Sequence, residues 1–152
     1  MKTLRTTLRT TLTLAALVGG ALAHAQMTPV GVWNTIDDAT GQPKGVVRIT
    51  ESNGVLSGKI ERSLRKDTKP DDRCENCTDE RKNQPIVGME ISRGAKKVDG
   101  KDMWEGGKIL DPENGKEYTL RLTPMEGGKK LEVRGYVGMP MLGRTQTWIR
   151  VE

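Results

Sequence analysis

The feature that most constrains this chain is a rhythm. Short runs in which apolar and polar residues alternate are each closed within about a dozen residues by Gly, Asn, Asp or Pro. Val30–Ile36 ends at Asp37-Asp38-Ala39-Thr40-Gly41. Val46–Glu51 is joined to Val55–Glu61 by Asn53-Gly54, the dipeptide that best suits a tight hairpin. Ile86–Ile91 and Lys101–Leu110 follow. Asp111-Pro112-Glu113-Asn114-Gly115 turns the chain into Glu117–Thr123, and Glu126-Gly127-Gly128-Lys129 turns it into Leu131–Val137. Arg144–Val151 is the last run. No segment carries apolar residues at helical spacing for long enough to count. Residues 63–84, charged and without period, read as a long loop. The pattern predicts about eight antiparallel strands, which fit either an up-and-down barrel or a two-sheet sandwich.

The first 25 residues stand apart. Lys2, Arg5 and Arg9 precede an apolar run, Leu12–Leu22, that is short for a bilayer span. Ala23-His24-Ala25 then offers a small-x-small cleavage pattern. We expect residues 1–25 to be a signal peptide, residues 26–152 to form one domain, and the product to be periplasmic or secreted. The leader holds three cations and no acid, so its removal takes the formal net charge from +5 to +2. No basic stripe with interleaved aromatics remains to suggest nucleic acid. The leader also holds the one histidine, His24. Ser-His-Asp triads, Cys-His pairs and His-ligated zinc are therefore excluded from the mature chain, and no enzyme activity and no cofactor are expected.

Cys74-Glu75-Asn76-Cys77 is the one constellation able to react. In an exported chain two cysteines favour a disulfide, although so small a ring stabilises by only about 2 kcal/mol on loop entropy. A redox Cys-x-x-Cys is the alternative. Such motifs draw on cationic neighbours or a helix N-terminus, whereas Asp71, Asp72, Glu75, Asp79 and Glu80 here outnumber Arg73, Arg81 and Lys82. A metal site would need Asp71, Asp72 or Asp79 to complete a two-Cys set, an unusual donor group for zinc. The paired carboxylates Asp37-Asp38 and Asp71-Asp72 sit in turns and read as turn chemistry.

Arg134, Tyr136, Arg144, Gln146 and Trp148 fall on alternate positions of the last two strands and read as one face. Pointed inward, they would line a polar, partly aromatic site for an anionic or amphiphilic small molecule. Pointed outward, as alternation alone favours, they would be a solvated face over Leu131, Val133, Ile149 and Val151. A slip of one residue reverses the outcome.

Gly31-Val32-Trp33 opens the first strand and Arg150 closes the last. This resembles the calycin or lipocalin arrangement, in which a Gly-x-Trp on the first strand packs beneath an Arg or Lys from the end of the last. A guanidinium stacked on an indole contributes about 0.5–2 kcal/mol. Taken in order, Gly31-x-Trp33, Cys74-x-x-Cys77, Asn83-Gln84-Pro85-Ile86-Val87-Gly88, the run Gly106 to Gly115, Arg134-Gly135-Tyr136-Val137-Gly138 and Gly143 to Trp148 resemble domain-of-unknown-function family 2147, a family of secreted bacterial proteins. The resemblance covers essentially the whole mature chain. It implies an eight-stranded antiparallel up-and-down lipocalin-like (calycin) barrel, closed by Trp33 and Arg150, and it carries no activity. Three functions follow as expectations: a barrel binding a small apolar or amphiphilic ligand, a thiol–disulfide redox protein using Cys74 and Cys77, or an envelope scaffold whose interaction surface is the 63–84 loop.

Overall fold

Eight strands, each antiparallel to the next, make up the protein in a computed structural model that describes residues 27–151. Residues 1–26, and with them the expected signal peptide, lie outside the described residues, as does Glu152. The strands are β1 (Gly31–Ile36), β2 (Pro43–Ser52), β3 (Val55–Ser63), β4 (Glu90–Lys97), β5 (Trp104–Asp111), β6 (Lys116–Met125), β7 (Lys130–Tyr136) and β8 (Arg144–Arg150). Each pairs with its sequence neighbour, and β1 also pairs with β8, so the sheet closes into a barrel with no free edge. The fold is an eight-stranded, lipocalin-like, up-and-down barrel. The sandwich is excluded because every strand has two hydrogen-bonded neighbours.

The Asn53-Gly54 hairpin follows its sequence signature. Both residues take left-handed backbone (φ 50° and 77°), the conformation a two-residue turn needs to match strand twist. Gly107 meets a different demand. A Cβ there would lie 2.5 Å from the Ala95 amide nitrogen, so β4 and β5 approach this closely only because position 107 has no side chain.

One expected strand is displaced. The run Ile86–Ile91 is not a strand, and β4 starts at Glu90. Ile86, Val87 and Gly88 belong to the preceding loop, with Gly88 in left-handed backbone and its amide on the Ile60 carbonyl. The apolar signal of β4 is thin because its buried residues, Ile91, Ser92 and Ala95, do not alternate. The register between β3 and β4 shifts twice, which moves the inward positions off a strict period of two.

The charged loop between β3 and β4 has more order than its composition implies. Cys74 and Cys77 form a disulfide, and both are completely buried against the main core. Arg73 and Pro85 form an isolated bridge. The Asn76 amide donates to the Glu113 carbonyl at 2.9 Å. Gly115, with φ 72°, lies so close beneath Asn76 that a Cβ would overlap the Asn76 carbonyl. The loop is thus clamped onto the turn between β5 and β6. Arg81, 6% exposed, clamps its other side. Its guanidinium pairs with Asp79 and with Glu117 of β6, and donates to the Glu90 carbonyl.

Candidate functional site

An antiparallel barrel has two ends, and here they differ. At one end lie residues 27–30 and the connections β2–β3, β4–β5 and β6–β7. This end is plugged. Trp33 is fully buried, its indole N–H donates to the Pro29 carbonyl at 2.7 Å, and the Arg150 guanidinium lies 4.1 Å from its ring centroid. Arg150 also donates to the carbonyls of Gly128, Val30 and Thr28. Burial pushes the Arg150 guanidinium below its ordinary pKa. Trp33 and Arg150 face each other across the β1–β8 seam, so the group that seals the floor also closes the barrel.

At the other end the connections β1–β2, β3–β4, β5–β6 and β7–β8 stand around an opening. It leads into a cavity of about 1010 Å³. Val47, Ile60, Ile91, Ile109, Val133 and Trp148 wall it from six strands, and Ile86 reaches in from the β3–β4 loop. Tyr118 and Thr35 bring hydroxyl groups, and Gln146 brings an amide. The Trp148 indole N–H donates to Gln146 Oε1 at 3.2 Å, and the Gln146 amide donates to Asp38 at 3.1 Å. This short relay satisfies the polar end of Trp148 and leaves its ring as apolar wall. Arg144 pairs with the same Asp38 at the rim. Around the rim Lys44 and Arg65 share Glu113, and Arg65 also pairs with Asp67. Arg65 is held above its ordinary pKa by Asp67 and Glu113, and Asp67 below its own by Arg65. The interior is apolar with a few fixed polar groups, and the mouth is charged with both signs.

The pairing register divides the face expected from the sequence. Trp148 sits opposite Leu131, Gln146 opposite Val133, and Arg144 opposite Gly135, while Arg134 sits opposite Thr145. Arg144, Gln146 and Trp148 therefore share the inward face with Leu131 and Val133, and all three border the cavity. Ile149 and Val151, expected beside Leu131 and Val133, are exposed instead. Arg134 is on the opposite face, where it donates to Thr145 Oγ1 and to the Pro140 carbonyl. Tyr136 alternates with Arg134 but stands at the rim, where it borders the mouth. The two strands are offset by one position relative to the alignment that puts all five together, and one position reverses a face.

The walls on β2, β3 and β6 carry no distinctive motif in the sequence, whereas Ile109 on β5 lies within the run Gly106 to Gly115. Tyr118, between Glu117 and Thr119 in a run bounded by turns, is the one that alternation could reveal. Cys74 and Cys77 do not line the cavity, although Arg73, Glu75 and Asn76 beside them do. Their sulfurs are buried, and disulfide exchange needs a thiolate to reach one of them. Among the described residues no group of three or more His, Cys, Asp or Glu is placed to hold a metal ion.

Comparison with known proteins agrees with this architecture. Residues 31–150 match a family described as "Uncharacterized protein conserved in bacteria (DUF2147)". The fold is also similar to a solved structure described as "Protein HP1028 from the human pathogen Helicobacter pylori belongs to the lipocalin family". The TM-score is 0.69 at 22% identity, over 81% of this chain and 82% of that one. No curated protein matches the chain.

Proposed function

Since the chain belongs to the DUF2147 family, whose description names no activity, we propose its function from its own cavity: it binds a small apolar or amphiphilic molecule inside the barrel. One observation carries this reading. A cavity of about 1010 Å³, with Val, Ile and Trp side chains in its inner wall and charged side chains around its mouth, opens at one end of a barrel sealed at the other. Binding pockets for small molecules run from about 300 to 1,000 Å³ and combine apolar walls with a few placed polar groups. Trp148 and Gln146 are assigned to contact the ligand within the barrel, with Arg144 and Tyr136 at the rim. Arg134 is assigned to positioning the β7–β8 connection. The mixed charge of the mouth suits a molecule whose polar end stays near water and whose apolar end enters.

The leader pattern supports export to the periplasm or beyond, and the mass of the mature protein tests it directly. The absence of histidine after residue 25 supports a binding protein over a hydrolase. Among the described residues no helix is long and apolar enough to cross a membrane.

Native mass spectrometry of protein purified without detergent is expected to reveal a co-purified lipid-like species. After its extraction, a fluorescent fatty-acid probe is expected to bind with one-to-one stoichiometry and to perturb tryptophan emission, because Trp148 walls the cavity. Failure of the extracted protein to bind any member of a broad panel of fatty acids, alcohols and lysolipids would overturn the proposal.

A further inference from the structure

The connection between β7 and β8 is the most apolar exposed surface on the molecule. Within six residues Val137, Met139, Met141 and Leu142 are 70%, 55%, 76% and 73% exposed. Every other exposed large apolar residue among those described is 48% exposed or less. Single exposed apolar residues are ordinary; four on one tip are not.

Looseness does not account for this exposure. A short 3₁₀ turn, Pro140–Leu142, shapes the tip. The Leu142 amide donates to the Met139 carbonyl, the Gly143 amide to the Pro140 carbonyl, and Arg134 Nε to that same Pro140 carbonyl. Gly143 packs so tightly that a Cβ there would lie 2.6 Å from the Gly135 carbonyl. The backbone is fixed, and it holds the apolar side chains outward.

The surroundings of the tip indicate what covers it. From residue 133 to residue 151 the chain has no Asp or Glu, and Arg134 and Arg144 flank the tip. Arg144 is paired with Asp38. Arg134 donates to two neutral oxygens, neither of which compensates its charge. Tyr136 stands at the root of the tip, at the cavity rim. An exposed apolar tip above an aromatic residue and an arginine without an acidic partner is the arrangement that seats a segment in a lipid interface with anionic headgroups. A protein partner or a second copy fits less well. A stable interface buries about 800 Å² on each side, more than one six-residue tip offers, whereas insertion into lipid needs only the tip.

We infer that the tip of the β7–β8 hairpin docks on a lipid surface bearing anionic headgroups. Val137 and Leu142 both face the surroundings and border the cavity, so docking sets the cavity mouth against the acyl region. The contact itself does not depend on the ligand-binding proposal; only this consequence does.

The test is co-sedimentation with vesicles. The wild-type protein is expected to sediment with phosphatidylglycerol-containing vesicles, to bind phosphatidylcholine vesicles more weakly, and to be released in part by salt. Met139→Asp/Met141→Asp alters two tip residues that do not border the cavity. Its partitioning is expected to fall about ten-fold or more, with unchanged circular dichroism and melting temperature. In Met141→Trp, brominated acyl chains are expected to quench the added tryptophan. The inference is overturned by no binding to anionic vesicles, by equal binding of the double variant, by no quenching, or by tip-dependent self-association in place of lipid binding. A fluorescent fatty acid titrated without vesicles separates the two proposals. The double variant is expected to bind it like wild type, and a wild type that docks on vesicles but takes no probe would refute the cavity reading alone.

Discussion

Replacing Arg150 by Ala should unseal the closed end of the barrel, and the cost can be worked from its contacts. The guanidinium lies 4.1 Å from the Trp33 centroid, worth about 0.5–2 kcal/mol. It also donates to the carbonyls of Thr28, Val30 and Gly128. Each hydrogen bond to a charged group contributes about 1.5–3 kcal/mol when fully shielded. Arg150 is half-buried, so water replaces part of what is lost, and its own desolvation cost, visible in its lowered pKa, is recovered on truncation. These offsets reduce the sum by roughly half, to about 2.5–5.5 kcal/mol. At about 2.1 cal/mol/K of unfolding entropy per residue, a domain of this size should lose roughly 10–20 °C in melting temperature. Lys at position 150 keeps the charge but not the fork of donors, so Arg150→Lys should recover less than half of the loss. Thermal unfolding by circular dichroism measures both variants. An Arg150→Ala variant within 3 °C of wild type, or an Arg150→Lys variant equal to wild type, would refute the claim that this guanidinium holds the β1–β8 seam through directed bonds.

Ile109→Trp adds bulk at a cavity wall and should weaken fatty-acid probe binding by about ten-fold or more at near-unchanged stability; unchanged affinity would place the ligand elsewhere. Removing the disulfide as Cys74→Ser/Cys77→Ser should cost about 2 kcal/mol on loop entropy, with reduction by dithiothreitol slow under native conditions because both sulfurs are buried; rapid native-state reduction would contradict that burial. The Arg81 clamp makes a pH prediction. Arg81 holds the Asp79 carboxyl down at about 2, from an ordinary 3.8, so its stabilisation is fully present above about pH 4 and is lost as pH falls toward 2. Melting curves of wild type and Arg81→Gln should therefore converge between pH 5 and 2, and a constant gap across that window would remove Asp79 from the explanation.

Sequence pattern captures those elements whose local chemistry and tertiary role agree. Asn53-Gly54 turns because its backbone needs left-handed residues, and β7 shows its inward Leu131 and Val133 by simple alternation. Trp33 and Arg150 can be paired from strand order alone, because a closed meander brings the two ends of the chain together. Pattern weakens where tertiary geometry overrides it. The strand expected over Ile86–Ile91 divides into loop and β4 because two register shifts against β3 break the period. Nothing local to the charged stretch 64–89 reveals that it is clamped by Gly115 and Glu117, residues that follow it in sequence and meet it only in the fold.

The site shows the same division in sharper form. Arg134, Tyr136, Arg144, Gln146 and Trp148 form one alternating set in the sequence, yet whether two strands share a face depends on their relative register, which neither strand encodes alone. Position 135 fits this register. Gly135 faces Arg144, and a Cβ at that position would sit 3.3 Å from Tyr118 Cβ, so the inward slot beside Tyr118 suits glycine. Its neighbour Arg134 is off the cavity wall and braces the Pro140 carbonyl, while Tyr136 stands at the rim. The register thus gives the interior to Gln146 and Trp148 and leaves Arg134 to hold the exposed tip. The polar, aromatic side chains of one hairpin are divided between the two tasks proposed for it, taking up a ligand inside and meeting a lipid surface outside.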